Sequence, residues 1–252
     1  MADAENFPFV LPERLPQRIS PCPVVEAIFE LRFSSGQPWT TMPGLLYTTI
    51  RDKYPEQLML PISQIPDEVR RKEAAFAFLP VVQFLSANFV VQLGPRVVSL
   101  VTKVNEYPGW RPIAEELGWL LERIQQTNIA TEGERLGVRY VDFFKTDIFS
   151  ELLLELQTAG RPLKDEERQI TTVVKYGELA MRLLVGNNVI VSAANGEPRR
   201  GSIMDVDAWY GPLEFELFNN VMQRFEEAHL AIKRLFFGLL KPEFLATLNP
   251  VY

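Results

Sequence analysis

The sequence predicts an α+β fold built from two tandem β-α-β-β-β-α units, with antiparallel sheets covered by helices on one face. Three observations predict it. Strand-like runs with alternating or continuous apolar residues recur in both halves of the chain. Each half ends on a long helical pattern of apolar residues. Short turn signals, Gly94-Pro95 and Gly186-Asn187-Asn188, join neighbouring strand-like runs at hairpin spacing. With 252 residues, 47% of them hydrophobic, the chain has enough apolar material for one large domain or two small ones.

Residues 1–23 read as an extended arm. Five prolines between positions 7 and 23 remove backbone donors and fix φ, while Phe7, Phe9, Val10 and Leu11 need cover, on the parent surface or on a second protomer. The first half occupies 24–128. Over 24–33, Val25, Ala27, Phe29, Leu31 and Phe33 point one way and Glu26, Ile28, Glu30 and Arg32 the other, so this is a half-buried strand. Pro43 followed by Leu45, Leu46 and Ile50 predicts a helix that Pro55 closes. Runs at 75–85, broken by Pro80, at 89–93 and at 97–101 predict a meander. Ile113, Leu117, Leu120, Leu121 and Ile124 predict a helix over 111–126.

The second half, 129–252, repeats the order and packs with the first as one globular unit. It has a strand over 135–144, a helix over 149–156 capped by Asp147, and strands over 170–175, 179–185, 189–194 and 202–210. A long helix over 213–240 follows, its stripe running through Phe218, Val221, Met222, Phe225, Ile232, Leu235, Phe236 and Leu239. Tyr107-Pro108-Gly109-Trp110 before one long helix and Trp209-Tyr210-Gly211-Pro212 before the other make a matching pair.

Composition excludes several classes. The net charge of −6 repels phosphate backbones, so general nucleic-acid binding is disfavoured. One His and one Cys form no internal disulfide and no His/Cys zinc site; no metal or cofactor is expected. The acidic, proline-interrupted N-terminus does not read as an export signal, and no apolar run approaches the ~20 residues of a membrane span. A cytoplasmic protein is expected. Nucleotide-binding glycine loops and the hydrolase Gly-x-Ser-x-Gly elbow are absent from the sequence.

Candidate site residues are few. His229 falls on the apolar stripe of the last helix and should face the sheet, as a core histidine or as an acid–base group. Asp205 and Asp207 lie two apart on a strand, on one face with Ile203 and Trp209, either solvated or part of an oxygen-ligand set. Glu26, Glu30 and Arg32 share a face of the first strand, and Arg139 and Asp142 lie on its counterpart in the second half. If both sheet faces are covered these charges must pair, and a Glu/Arg cluster would mark a site; if one face is open they are ordinary solvated residues. Arg70-Arg71-Lys72 reads as a polar connection and Arg199-Arg200 as part of a turn. Cys22, between prolines, has no activating base nearby in sequence.

The run Pro23-Val24-Val25-Glu26-Ala27-Ile28-Phe29-Glu30-Leu31-Arg32-Phe33, with Gly44-Leu45-Leu46-Tyr47, Tyr54-Pro55, Arg139-Tyr140-Val141-Asp142, Met204-Asp205-Val206-Asp207 and His229, resembles a sporadically distributed bacterial family of about 250 residues without an assigned reaction. The resemblance implies that the Glu26/Glu30/Arg32, Arg139/Asp142, Asp205/Asp207 and His229 groups form a shared pattern, as core network or as site. A patchy distribution suits toxin neutralisation or phage defence.

These readings lead to a non-catalytic cytoplasmic protein-interaction module, antitoxin-like or immunity-like, with a protein partner such as a toxin and a homodimer through the arm as a further arrangement. The alternative is a small-molecule binder or enzyme with a cavity between sheet and final helix, lined by Phe225, His229 and Phe236. A nucleic-acid reader using local basic loops is the weakest reading.

Overall fold

The structure, a computed structural model, describes residues 12, 14–103, 107–163, 167–191, 198–211, 215–216 and 218–252. By contact the chain falls into two units. One comprises Glu26–Val138 and Trp209–Ala228; the other takes the N-terminal segment to Val25, Arg139–Ala208 and His229–Tyr252. The class is α+β, with an antiparallel sheet.

In the first unit the strand order is β2 (Glu56–Met59), β3 (Val82–Leu85), β4 (Phe89–Gly94), β5 (Val97–Thr102), β1 (Val24–Ser34) and β6 (Glu132–Phe144). Alternation in β1 sends Ala27, Phe29, Leu31 and Phe33 into the core, as its apolar period of two requires. Register then aligns Phe29, Leu100, Val91 and Phe84 in one row, each at most 1% exposed. Burial of each such side chain contributes about 2 kcal/mol. Helix α1 (Met42–Ile50), with Pro43 in its first turn, lays Tyr47 flat on Phe84 at 5.9 Å. Helix α3 (Trp110–Thr127) sets Trp110 5.8 Å from Phe29 and ends at Asn128 in the left-handed region. Buried Tyr54 donates to Glu116 Oε1 of α3 (3.0 Å) and so fixes the chain leaving α1.

On the opposite side of these strands Glu30, Ser99, Gln92 and Gln83 form a polar row. All six residues of β5 are buried nevertheless. Part of the cover is Phe78, whose ring lies under the guanidinium groups of Arg32 (4.5 Å) and Arg96 (4.7 Å).

The second unit carries the order β6, β11 (Arg199–Tyr210), β10 (Leu179–Val191) and β9 (Gln169–Tyr176). Gly177, at φ +59°, turns β9 into β10. Gly201 is needed for a close approach: a Cβ there would lie 2.1 Å from the Phe144 carbonyl oxygen, beside the Phe143 ring. Helix α4 (Val221–Leu239) runs through both units, and α5 (Pro242–Thr247) brings Phe244 to 6.1 Å from Phe144. The small pair β7 (Gln157–Thr158) and β8 (Arg161–Pro162) stands apart from the main sheet.

Several local expectations are corrected. The run at 75–85 is a strand only from Val82, because Ala74–Phe76 takes a 3-10 turn before Pro80. Strand β2 and helix α2 (Asp67–Lys72) appear where no element is expected, so Arg70-Arg71-Lys72 lies on a helix rather than in a polar connection, with Arg70 buried against the Ile65 carbonyl and Asp67. The helix at 149–156 shrinks to one 3-10 turn, Ile148–Glu151, although Asp147 caps it by accepting from the Phe149 N–H (3.1 Å). Leu152 leaves that turn to bridge Leu240 instead.

Gly186-Asn187-Asn188 is no hairpin. Strand β10 continues through it, because Asn187 accepts from the Arg168 N–H and donates to Asp147 Oδ2, which ties it to the chain entering β9. Arg199-Arg200 open β11 rather than sit in a turn. The last helix starts at Val221, with Phe215–Glu216 forming a short strand β12 on β6; residues 213–214 lie outside the described residues.

Of the arm, Phe7, Phe9, Val10 and Leu11 lie outside the described residues. Its described part docks on the chain's own C-terminal segment: Gln17 N–H donates to the Val251 carbonyl (2.6 Å), Ser20 N–H to that of Leu248, and Arg14 stacks over Tyr252.

Candidate functional site

The sequence-predicted residues separate by strand parity into two environments. On the outer face of the first unit, opposite the face that α1 and α3 touch, Glu30 Oε1 accepts from Arg32 Nε and from Arg135 of β6, both at 2.7 Å. Arg135 also stacks over Trp209 at 5.3 Å. Glu134 accepts from Ser34 (2.9 Å) and pairs with Arg96. Two carboxylates and three arginines therefore form a lattice gripping Phe78 and Trp209. Glu26 is half-buried on the same strand.

The second unit repeats the chemistry on the outer face of its own strands. Asp205, 4% exposed, accepts two hydrogen bonds from Arg139, Nε to Oδ1 at 2.8 Å and a terminal nitrogen to Oδ2 at 2.7 Å. Arg182 of β10 approaches the same carboxylate at 3.9 Å. Asp207 is half-buried two positions along β11. A carboxylate held this way is committed to arginine. Among the described residues no group of three or more His, Cys, Asp or Glu is placed to hold a metal ion.

From Leu136 onward, even-numbered positions of β6 face inward, with Leu136, Val138, Tyr140, Asp142 and Phe144 all buried. Arg139 and Asp142 therefore lie on opposite faces. Asp142 is 3% exposed, and burial, with the nearby charge of Asp205, pushes its carboxyl up to about 8. It is mostly a neutral acid at pH 7. His229 of α4 faces this side too: its Nδ1 and the Tyr140 hydroxyl share a 2.8 Å hydrogen bond. Burial, assisted by the Lys233 charge one helical turn on, lowers the imidazole to about 3. In the Nε2-protonated tautomer the phenol donates to Nδ1. Burial also raises the Cys22 thiol, opposed by a backbone hydrogen bond at Val24 and reinforced by Asp142, so it is less readily a thiolate than a free cysteine. Phe225 packs edge-on to Phe29, and Phe236 packs edge-on to Phe237.

Arg135, Arg182, Arg96 and Phe78 are the partners that sequence reasoning missed. Arg135 had a signal, since it shares strand parity with Arg139 and falls where the half-buried Glu30 needs a cation. Phe78 had none, because it lies in a segment with no periodicity.

The Asp205 cluster borders a further feature. Strand β9 ends the sheet, pairs with β10 along one edge, and pairs with no strand along the other among the described residues. Its eight residues, QITTVVKY, include five that are β-branched, and Val173 is 54% exposed. Register places Val173 beside Arg182, so Val173, Arg182, Asp205 and Arg139 form one row from the edge inward. No protein-family model matches the chain, and no curated protein matches it.

Proposed function

We propose that the chain is a non-catalytic protein-binding module of the antitoxin, immunity or phage-defence kind, acting in the cytoplasm. The observation that carries this reading is the unpaired edge of β9. An eight-residue, β-branched edge with one charge and no proline is a template for another strand. The states of the ionisable groups support the same reading. An imidazole lowered to about 3 is a poor general base near neutrality, and the outer-face carboxylates of Glu30 and Asp205 are engaged by arginine. No helix among the described residues is long and apolar enough to cross a membrane.

The module is a duplicated β-α-β-β-β-α unit in this reading. In each unit the third meander strand adjoins the strand that opens its half of the chain, β5 beside β1 and β11 beside β6. Each also carries one outer-face carboxylate served by two arginines. The resemblance to the patchily distributed bacterial family fits the same role.

Affinity purification from the native host, followed by mass spectrometry and native mass measurement, tests the proposal. A single protein recovered in stoichiometric amount supports it. A chain recovered alone, or with a small molecule or nucleic acid, contradicts it.

A further inference from the structure

We propose that β9 takes up an extended segment of the partner protein by strand addition, and that this segment is acidic at alternate residues. The inference rests on the protein-binding reading and specifies its partner chemistry.

Charge complementarity selects the occupant. Although the chain carries −6 overall, the outer face beside β9 has the opposite sign. Strand alternation places Lys175 of β9, Arg182 of β10, Arg199 of β11 and Arg139 of β6 on it, against Asp205 and Asp207 among the described residues of these four strands. Asp205 is already spanned by Arg139. Arg182 is more than a third exposed and reaches that carboxylate only at 3.9 Å, so its charge still contributes to the face. A strand added to β9 lies about 4.8 Å from it and sets every second side chain over this face, next to Thr171, Val173 and Lys175. Carboxylates at those positions meet Lys175 directly and the positive face behind it. The intervening side chains fall beside Ile170, Thr172 and Val174, which suit β-branched partners.

The other end of the sheet shows what a guarded edge looks like. Strand β2 has four residues and is bracketed by Pro55 and Pro61, which limits strand pairing there. Strand β9 has neither safeguard.

The test titrates two synthetic peptides, acetyl-TEVEVEVT-amide and its lysine counterpart acetyl-TKVKVKVT-amide, into the full chain at low salt by calorimetry. The glutamate peptide should bind at least about tenfold more tightly than the lysine peptide. Lys175→Glu should reverse that preference, and Val173→Glu, which sets a like charge against the incoming carboxylates, should weaken the glutamate peptide at least about tenfold; each substitution is at an exposed position, and circular dichroism checks that the fold persists. Equal affinity for both peptides, no binding of either, or indifference to Lys175→Glu overturns the inference. So does dimerisation of the free chain that Val173→Glu abolishes, because a second copy would then be the occupant. Binding of oligothymidylate with the same sensitivity to Lys175→Glu overturns it too. If the host partner is still captured by both β9 variants, the protein-binding reading stands and this inference falls.

Discussion

The two faces of β6 treat ionisable residues in opposite ways. On the outer face Arg139 clamps the Asp205 carboxylate with two hydrogen bonds and remains more than a third exposed. On the inner face Asp142 is a buried acid displaced to about 8, and Tyr140 holds a histidine displaced to about 3. One position along the strand exchanges a paired, hydrated charge for a neutralised one. The difference separates two kinds of group: the inner ones set stability and its pH dependence, whereas the outer ones keep their charges beside the β9 edge, the surface on which the proposed function rests.

The largest effects belong to the inner face. Asp142 has a folded pKa raised from 3.8 to about 8, so the folded state holds a proton that the unfolded state has lost, and stability declines as pH rises between these values. The full decline is on the order of 5 kcal/mol. Asp142→Asn should remove it, and chemical denaturation at pH 6.5 and pH 8, above the window in which His229 contributes, should show a far smaller difference than in the wild type.

His229 acts in the opposite sense. Its folded pKa is lowered from 6.5 to about 3, so its contribution to stability grows as pH rises through that window. The two slopes nearly cancel between about pH 4 and 6.5, and only the Asp142 decline persists above, roughly 2 kcal/mol by pH 8. His229→Gln, which can still bond the Tyr140 hydroxyl, should convert the plateau into a continuous fall from pH 4 to 8. A plateau retained in that variant would show that the imidazole is not buried neutral.

Smaller changes lie on the outer face. Arg139→Ala leaves Asp205 nearly buried with only the longer Arg182 contact, and should cost about 2 kcal/mol by urea denaturation, because the arginine itself is partly hydrated. At the edge, Val173→Glu should change stability by less than about 0.5 kcal/mol, since the side chain is already mostly in water. A larger loss at Val173 would indicate that β9 is covered in the free chain.

The legible parts of this chain are those where periodicity is complete. Strand β1 and helix α3 are readable because every apolar position repeats on schedule, and the inward face of His229 follows from its place on the α4 stripe. The alternation that makes β1 readable also shows Arg139 and Asp142 to be three apart, hence on opposite faces, although they read naturally as a pair. Other features depend on partners remote in sequence. Asn187 looks like a turn residue until Arg168 and Asp147 engage it, and Phe78 acquires a role only when Arg32 and Arg96 arrive over its ring. That β9 has a strand on one side only, among the described residues, is a property of strand order, which local sequence does not encode.

The separation of roles is tested most directly by measuring capture of the host partner by the wild type, Val173→Glu and His229→Gln at equal folded concentration. The wild type and His229→Gln should recover it equally, and Val173→Glu should lose it. Retention by Val173→Glu with loss by His229→Gln would place the functional surface on the inner face and contradict the assignment.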